Sequence, residues 1–203
     1  MSEVIAKKGY HHGDLREQLL TATRVLVEAK GPDGFSVSEA CRAAGVSTAA
    51  PYKHFSDRTD MLRAVTLQGF REMTAAIAGA AEGRTPGTIE TIAAMGTAYI
   101  AFAEAHPETF KMMFAFKGST TEMEEAGMAC YATVLGQVAI WAGREGVDDV
   151  VLGLGFPLWT FVHGLSFLRI DGKAKPPKFT EEVADVVLDA TGRLLAGTGA
   201  KDA

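Results

Sequence analysis

Apolar residues recur along this chain at helical steps of three and four, and each run ends at residues suited to helix termini; alternation with period two is almost absent. Leu15, Leu19, Ala22, Leu26 and Ala29 predict a first helix over about 14–29, with Asp14 as its cap and Glu17 as the capping partner. Ser36-Val37-Ser38-Glu39 is a capping box that opens a short second helix with Val37, Ala40, Cys41 and Ala44 inward. A long helix from Ser56 or Asp57 to about Ala80 turns Leu62, Val65, Met73 and Ile77 inward, with Gly69 as a point where it could bend. The stretch 81–87 is a linker. Ile89, Ile92, Met95, Tyr99 and Phe102 share a face of the next helix, which His106-Pro107 breaks. Pro107 begins a short helix stopped by Gly118, and Ser119-Thr120-Thr121-Glu122 reads as a second capping box. It starts a helix carrying Met123, Gly127, Cys130, Val134, Val138 and Trp141. Asp148 opens a long apolar helix to about Ile170, residues 171–178 form a basic mobile loop, and Thr180 caps a last helix with Val183, Val187, Ala190 and Leu194 aligned. The tail from Gly197 is expected to be disordered. The pattern predicts an all-α chain: three N-terminal helices over 1–60 and a helical bundle over 61–203.

The segment 36–55 carries the sharpest chemistry. Gly45 can adopt the left-handed conformation that ends a helix and turns the chain, Val46 plugs that turn, and Ser47 is expected to cap a second helix running through Phe55. Two capped helices about a glycine turn are a helix-turn-helix, whose second helix reads double-stranded DNA in the major groove. Thr48, Ala49 and Ala50 are small enough to approach base edges, where alanine can touch a thymine methyl. Ser36, Ser47, Tyr52, Lys53, His54 and Arg58 are expected on phosphate oxygens, which set register without reading sequence. On that reading, alanine at Arg58 or Lys53 weakens binding to all sequences alike and flattens the salt dependence by about one unit. The bland alternative is a helical hairpin in an all-α interaction module with Lys53 and His54 merely solvated.

Some 120 further residues of helix need another purpose, and two are available. Readers of this kind work in pairs spaced about 34–36 Å apart, so a homodimer is expected, with the apolar helix 148–170 and the last helix as its seam. A cluster of Met and aromatic side chains suits an adaptable apolar guest: Met95, Tyr99, Phe102, Phe110, Met113 and Phe114, together with Trp159 and His163, are the candidate ligand contacts. The same stripe also reads as plain core, and His163 as a satisfied buried imidazole.

Composition narrows the partners. The net charge is −5, yet residues 1–60 balance eight Lys/Arg against eight Asp/Glu, leaving twelve against seventeen in the remainder. A neutral reader thus sits beside an acidic body that phosphates avoid. Lys7, Lys8, His11 and His12 form a short basic arm available to the DNA backbone. Cys41 and Cys130 are far apart and lack C-x-x-C spacing, which fits reduced thiols in a cytoplasmic protein; Cys41, inside the motif, also admits a redox role. The nineteen residues 150–168 carry no Asp, Glu, Lys or Arg, but Gly153, Gly155, Pro157 and His163 interrupt them, so a bundle interior or dimer seam is the better reading than a membrane span. No nucleophile elbow, P-loop or helical metal-ligand spacing occurs, so neither enzyme chemistry, a cofactor nor a metal is expected.

The segment from about Asp14 to Leu62 resembles the DNA-binding domain of the tetracycline-repressor (TetR) family, on Ala43-Ala44-Gly45-Val46-Ser47 followed by Tyr52 and Phe55. The prefix 10–16 and Trp159-Thr160-Phe161-Val162-His163-Gly164 are similar to a subgroup whose C-terminal domain carries Trp-x-x-x-His-Gly. The resemblance implies a ligand-responsive transcriptional regulator, a repressor released from a palindromic operator by a small, largely apolar effector, and the same two-helix dimer seam. It further implies control of adjacent transport or catabolic genes. An activator would use identical residues. Pro51 stands where many members have Leu, Lys53 where a second Tyr is common and Arg58 where Lys is commoner, so base preference does not transfer.

Overall fold

Eight α-helices and one 3₁₀ turn, with no strand, make up the described part of the computed structural model: residues 12–115, 120–174 and 182–197, the side chains of 12–14 excepted. The chain divides between Val65 and Thr66 into two units, five residues beyond the predicted 60/61 division.

The first unit holds α1 (His12–Lys30), α2 (Val37–Ala43), a 3₁₀ turn (Pro51–Lys53) and the start of α3 (Arg58–Ala81). Helix α1 begins at His12, so Asp14 lies inside it and does not cap it. Its buried arc takes in Leu15, Leu19 and Ala22 as expected but is rotated toward Leu20, Thr23 and Val27, which leaves Ala29 in solvent. Thr23 is tolerated in that interior because its hydroxyl donates to the Leu19 carbonyl at 2.7 Å. The capping box of α2 forms as predicted, Ser36 and Glu39 each accepting from the other's backbone N–H. The helix then closes through the Gly45 N–H to Arg42 O and the Val46 N–H to Cys41 O, at 3.2 and 2.9 Å, a Schellman closure that requires the φ of 69° found at Gly45. An alanine there would sit in a backbone region that L-residues disfavour.

The predicted second helix of the motif is much shorter than expected. A helix capped at Ser47 needs its first backbone bond from the N–H of residue 51, and Pro51 has none. The chain instead makes a three-residue turn from the Ala50 N–H to Ser47 O at 3.0 Å and enters helical geometry at Pro51, which takes the first helical position. Asp57 does cap α3, accepting from the Asp60 N–H at 2.8 Å, while Asp60 accepts from the Ser56 N–H at 3.0 Å.

The second unit holds the remainder of α3, then α4 (Ile89–Ala105), α5 (Pro107–Ala115), α6 (Thr121–Trp141), α7 (Asp149–Ile170) and α8 (Val183–Ala196). Helix α4 is its centre and packs on α5, α6, α7 and α8. One apolar cluster gathers Phe70, Met73 and Ile77 of α3 around Met95, Tyr99 and Phe102 of α4 and Phe110 and Met113 of α5. A second joins Ile92 to Leu135 and Val138 of α6, Val151, Leu154 and Leu158 of α7 and Leu195 of α8. Gly69 does not interrupt α3, which runs unbroken from 58 to 81. A Cβ at 69 would lie 2.8 Å from Met113 Sδ and 3.0 Å from Thr109 Cγ2, so the missing side chain lets α5 approach.

Helix termini in this unit follow the sequence in part. Asp148 caps α7 as expected, accepting from the Val151 N–H at 2.9 Å. The cap of α6 is Thr120, accepting from the Met123 N–H, and because its third residue is Met123 no reciprocal capping box forms with Glu122. Helix α8 starts at Val183 with no side-chain cap, later than a helix capped at Thr180 would. Thr180 itself, Ser119, Gly118, Phe116, the loop from 175, the tail from 198 and the arm residues Lys7, Lys8 and His11 lie outside the described residues.

Candidate DNA-reading turn and candidate ligand cavity

In the first unit the sequence-predicted DNA residues separate into three groups. Ser47, Thr48, Ala49, Tyr52 and Lys53 face solvent together on the turn that follows α2, Tyr52 being 63% exposed. Ala50 is half-buried and Pro51 buried, so the turn presents one side outward and rests on the other. Ser36 is exposed but already bonded: its hydroxyl and N–H both meet Glu39, whose other oxygen takes Lys30 Nζ at 2.6 Å. Lys30, with the Ser36 N–H, holds the Glu39 carboxyl well below the usual carboxylate range, at about 2.

Arg58 and His54 are held against the rest of the first unit. The Arg58 Nε donates to the Phe35 carbonyl at 3.2 Å, its Nη2 donates to the Pro32 carbonyl, and the guanidinium lies 4.8 Å from the centroid of the Phe35 ring. Arg58 therefore ties the α1–α2 loop to the start of α3, with Nε and Nη2 both engaged by carbonyls. The long contact to Asp33, at 3.9 Å to a fully exposed carboxylate, adds little. His54 is half-buried, with Nε2 closed off from solvent and without a hydrogen-bond partner. Sequence spacing put both beside the reader, but orientation is set by the loop they fold against.

In the second unit a cavity of about 550 Å³ opens between α3, α4, α5, α6 and α7, within the size range of small-molecule sites. Five of the eight candidate ligand contacts line it: Met95, Tyr99, Met113, Phe114 and Trp159. Phe102, Phe110 and His163 are not in its wall. Phe102 and Phe110 belong to the core behind it, and His163 accepts or donates a 2.8 Å bond with the Tyr99 hydroxyl while stacked among Phe110, Phe114, Trp159 and Phe167. Burial pushes the Tyr99 phenol up and the His163 imidazole down, so both are held uncharged.

Sequence reasoning missed much of the wall. Phe70, Met73 and Ile77 come from α3, Met123, Gly127, Cys130, Tyr131 and Val134 from α6, and Phe156 and Val162 from α7. The α6 stripe was visible at helical spacing, but a stripe facing a cavity and a stripe facing a packed neighbour are the same pattern in sequence. Cys130 and Cys41 are buried free thiols, and burial pushes both upward, away from the thiolate that redox chemistry needs. Among the described residues no group of His, Cys, Asp or Glu is arranged for a metal ion.

Both units match known families. Residues 19–65 match the model for bacterial regulatory proteins of the tetR family, and residues 92–191 match the tetracyclin repressor-like C-terminal domain. The chain belongs to the TetR family of transcriptional regulators. Family membership makes it a DNA-binding transcription factor and not an enzyme. A Rhodococcus sp. RHA1 protein of unknown function is 33% identical and superposes with a TM-score of 0.78, over 94% of this chain and 98% of that one. The TetR family regulator PfmR from Thermus thermophilus shares the fold at 19% identity and a TM-score of 0.62, over 89% and 98% of the two chains. A tetR-family regulator from Streptomyces coelicolor does so at 15% and 0.72, over 92% and 81%. No curated protein matches the chain.

Proposed function

We propose that this TetR-family regulator is a cytoplasmic, homodimeric repressor that leaves a palindromic operator when a small, largely apolar effector enters the second unit. The observation that carries the reading is the composition of α3. Its first turns bury Met61, Leu62 and Val65 in the reading unit, and the same helix supplies Phe70, Met73 and Ile77 to the cavity wall. A guest that prefers one packing of those three side chains biases the helix whose first turns belong to the reading unit. A coupling of about 1–3 kcal/mol between the two sites is typical of such control.

Dimerisation is supported by the surface of α7 and α8. Helix α7 is long and apolar enough to cross a membrane by length and composition, yet it is the core-facing partner of α4 on one side and exposes Val150, Leu152 and Leu168 to solvent. Leu188 of α8 is likewise 40% exposed. Two α-helices from each copy would cover these residues and space two reading turns for successive major grooves. Thr48 and Ala49 are then the base-edge candidates, with Ser47, Tyr52 and Lys53 on phosphates.

The test is fluorescence anisotropy of the purified protein on the DNA upstream of its own gene, at low salt, against an unrelated duplex of equal length. Preference for the upstream duplex, by a dimer, supports the reading; a single-chain species that ignores both duplexes refutes it. Reporter output with the gene deleted separates a repressor, for which output rises, from an activator, for which it falls.

A further inference from the structure

Trp159 and His163 stand one turn apart on α7, and both bond the same group, the Tyr99 hydroxyl of α4. The indole N–H is a donor only, so Tyr99 accepts from Trp159. The phenol gives its own proton to His163 Nδ1 at 2.8 Å, the one acceptor that these two partners offer it. The bonds therefore run from indole to phenol to imidazole, and the neutral imidazole carries its proton on Nε2. Tyr99 is 5% exposed, so both bonds end on an oxygen shut away from water, where losing a partner is costly.

This chain of bonds fixes an indole that borders the cavity. Its N–H edge is anchored on Tyr99, and three rings flank it: Tyr131 at 5.9 Å and 46°, Phe156 at 6.0 Å and 56°, and His163 at 5.4 Å and 37°. All three contacts are tilted, so none of these rings takes the offset-stacked place on the indole. Tyr131 and Phe156 share the cavity wall with Trp159. The corner they form belongs to α6 and α7, about 16 Å along α6 from the Thr120 cap, because Tyr131 stands eleven positions after it. An aromatic ring held at one edge before a guest arrives spares the guest the entropy of ordering it.

We propose that Trp159 is the stacking platform of the cavity and selects planar aromatic guests over saturated ones of the same carbon skeleton, with Tyr99 and His163 as the positioning residues that hold the indole ready. This deepens the effector reading above and depends on it for biological meaning, but binding is measured without DNA, so the two can fail separately. The Trp-x-x-x-His spacing has a physical reason on this assignment: residues four apart on one helix face can bond a single hydroxyl from the helix opposite.

A matched pair of probes isolates the π-face. 2-Naphthalenemethanol and decahydro-2-naphthalenemethanol share a skeleton and a primary alcohol, and differ in flatness and π-electrons. Titrated into the full-length protein by calorimetry, the aromatic alcohol should bind about three- to tenfold more tightly, the range of an aromatic pair beyond its buried area. Equal affinity or a preference for the saturated alcohol overturns the selection. Failure of both to bind overturns it too, while the repressor reading is still judged by its operator assay. Trp159→Leu should bring the ratio of affinities to about one; a ratio that survives this change puts the stack elsewhere and overturns the platform. Tyr99→Phe and His163→Leu keep the indole and remove its anchor, so each should lower the ratio about two- to threefold and shift the saturated alcohol by less than about twofold. His163→Asn, which restores an acceptor near the place of Nδ1, should recover the wild-type ratio. Equal losses for both alcohols in the Tyr99 and His163 variants would make these packing residues only and overturn their role.

Discussion

Arg58 and Lys53 have the same charge five residues apart, and the structure assigns them opposite behaviour under substitution. Removing the Arg58 side chain takes away two charge-assisted bonds to the Phe35 and Pro32 carbonyls and the stack on Phe35. With its side chain 34% exposed, each bond counts nearer about 1 than about 3 kcal/mol, and the stack about 0.5–1, for a loss of about 2–4 kcal/mol in Arg58→Ala. At a urea m-value of about 2 kcal/mol/M this lowers the unfolding midpoint by about 1–2 M. Lys53→Ala, at an exposed position, should move that midpoint by little, since surface substitutions stay within about 0.5 kcal/mol. Operator binding inverts the order. Plotting log K against log salt for folded protein, Lys53→Ala should reduce the slope by about 0.9 for each reading turn, hence about 1.8 for a dimer, while Arg58→Ala leaves it unchanged. Arg58→Lys should recover only part of the stability, because an ammonium cannot hold two carbonyls and stack at once. If Arg58→Ala flattens the salt slope and leaves the urea midpoint in place, the guanidinium faces phosphate and does not serve the loop.

Three further outcomes are expected. Leu152→Asp or Leu188→Asp should convert the dimer to monomers by light scattering and abolish tight operator binding, with helicity by circular dichroism retained. Burial lowers the His163 pKa, so the unfolded chain takes up a proton first as pH falls below about 6.5 and stability declines from there downward; His163→Gln should flatten that part of the stability profile. The Glu39 carboxyl, held near 2 against an ordinary 4.5, contributes stability that is complete above about pH 4.5 and is lost as pH falls toward 2, so Glu39→Gln should show a shallower acid transition by circular dichroism.

Local chemistry made several features legible without coordinates. The Ser36–Glu39 box, the Gly45 turn, the Asp148 cap and the inward set Leu62, Val65, Met73 and Ile77 depend on neighbours within one or two turns of helix, and each appears where the residues place it. Where a short-range rule was misapplied, the correction is also short-range. Ser47 cannot cap a regular helix because the residue four positions on is proline.

Other features were decided by contacts between residues distant in the chain. Arg58 meets carbonyls 23 and 26 residues earlier, and nothing in its own neighbourhood indicates which way its fork turns. Tyr99 and His163, 64 residues apart, become one polar unit because α4 packs against α7, which leaves Tyr99 in the cavity wall and His163 behind it. The apolar periodicity of α3, α4, α6 and α7 dictated that each bury a face, since that face is costly to leave in water. Whether the faces would meet completely or leave room for a guest depends on how these helices and α5 pack together, and a one-dimensional pattern carries no record of that space.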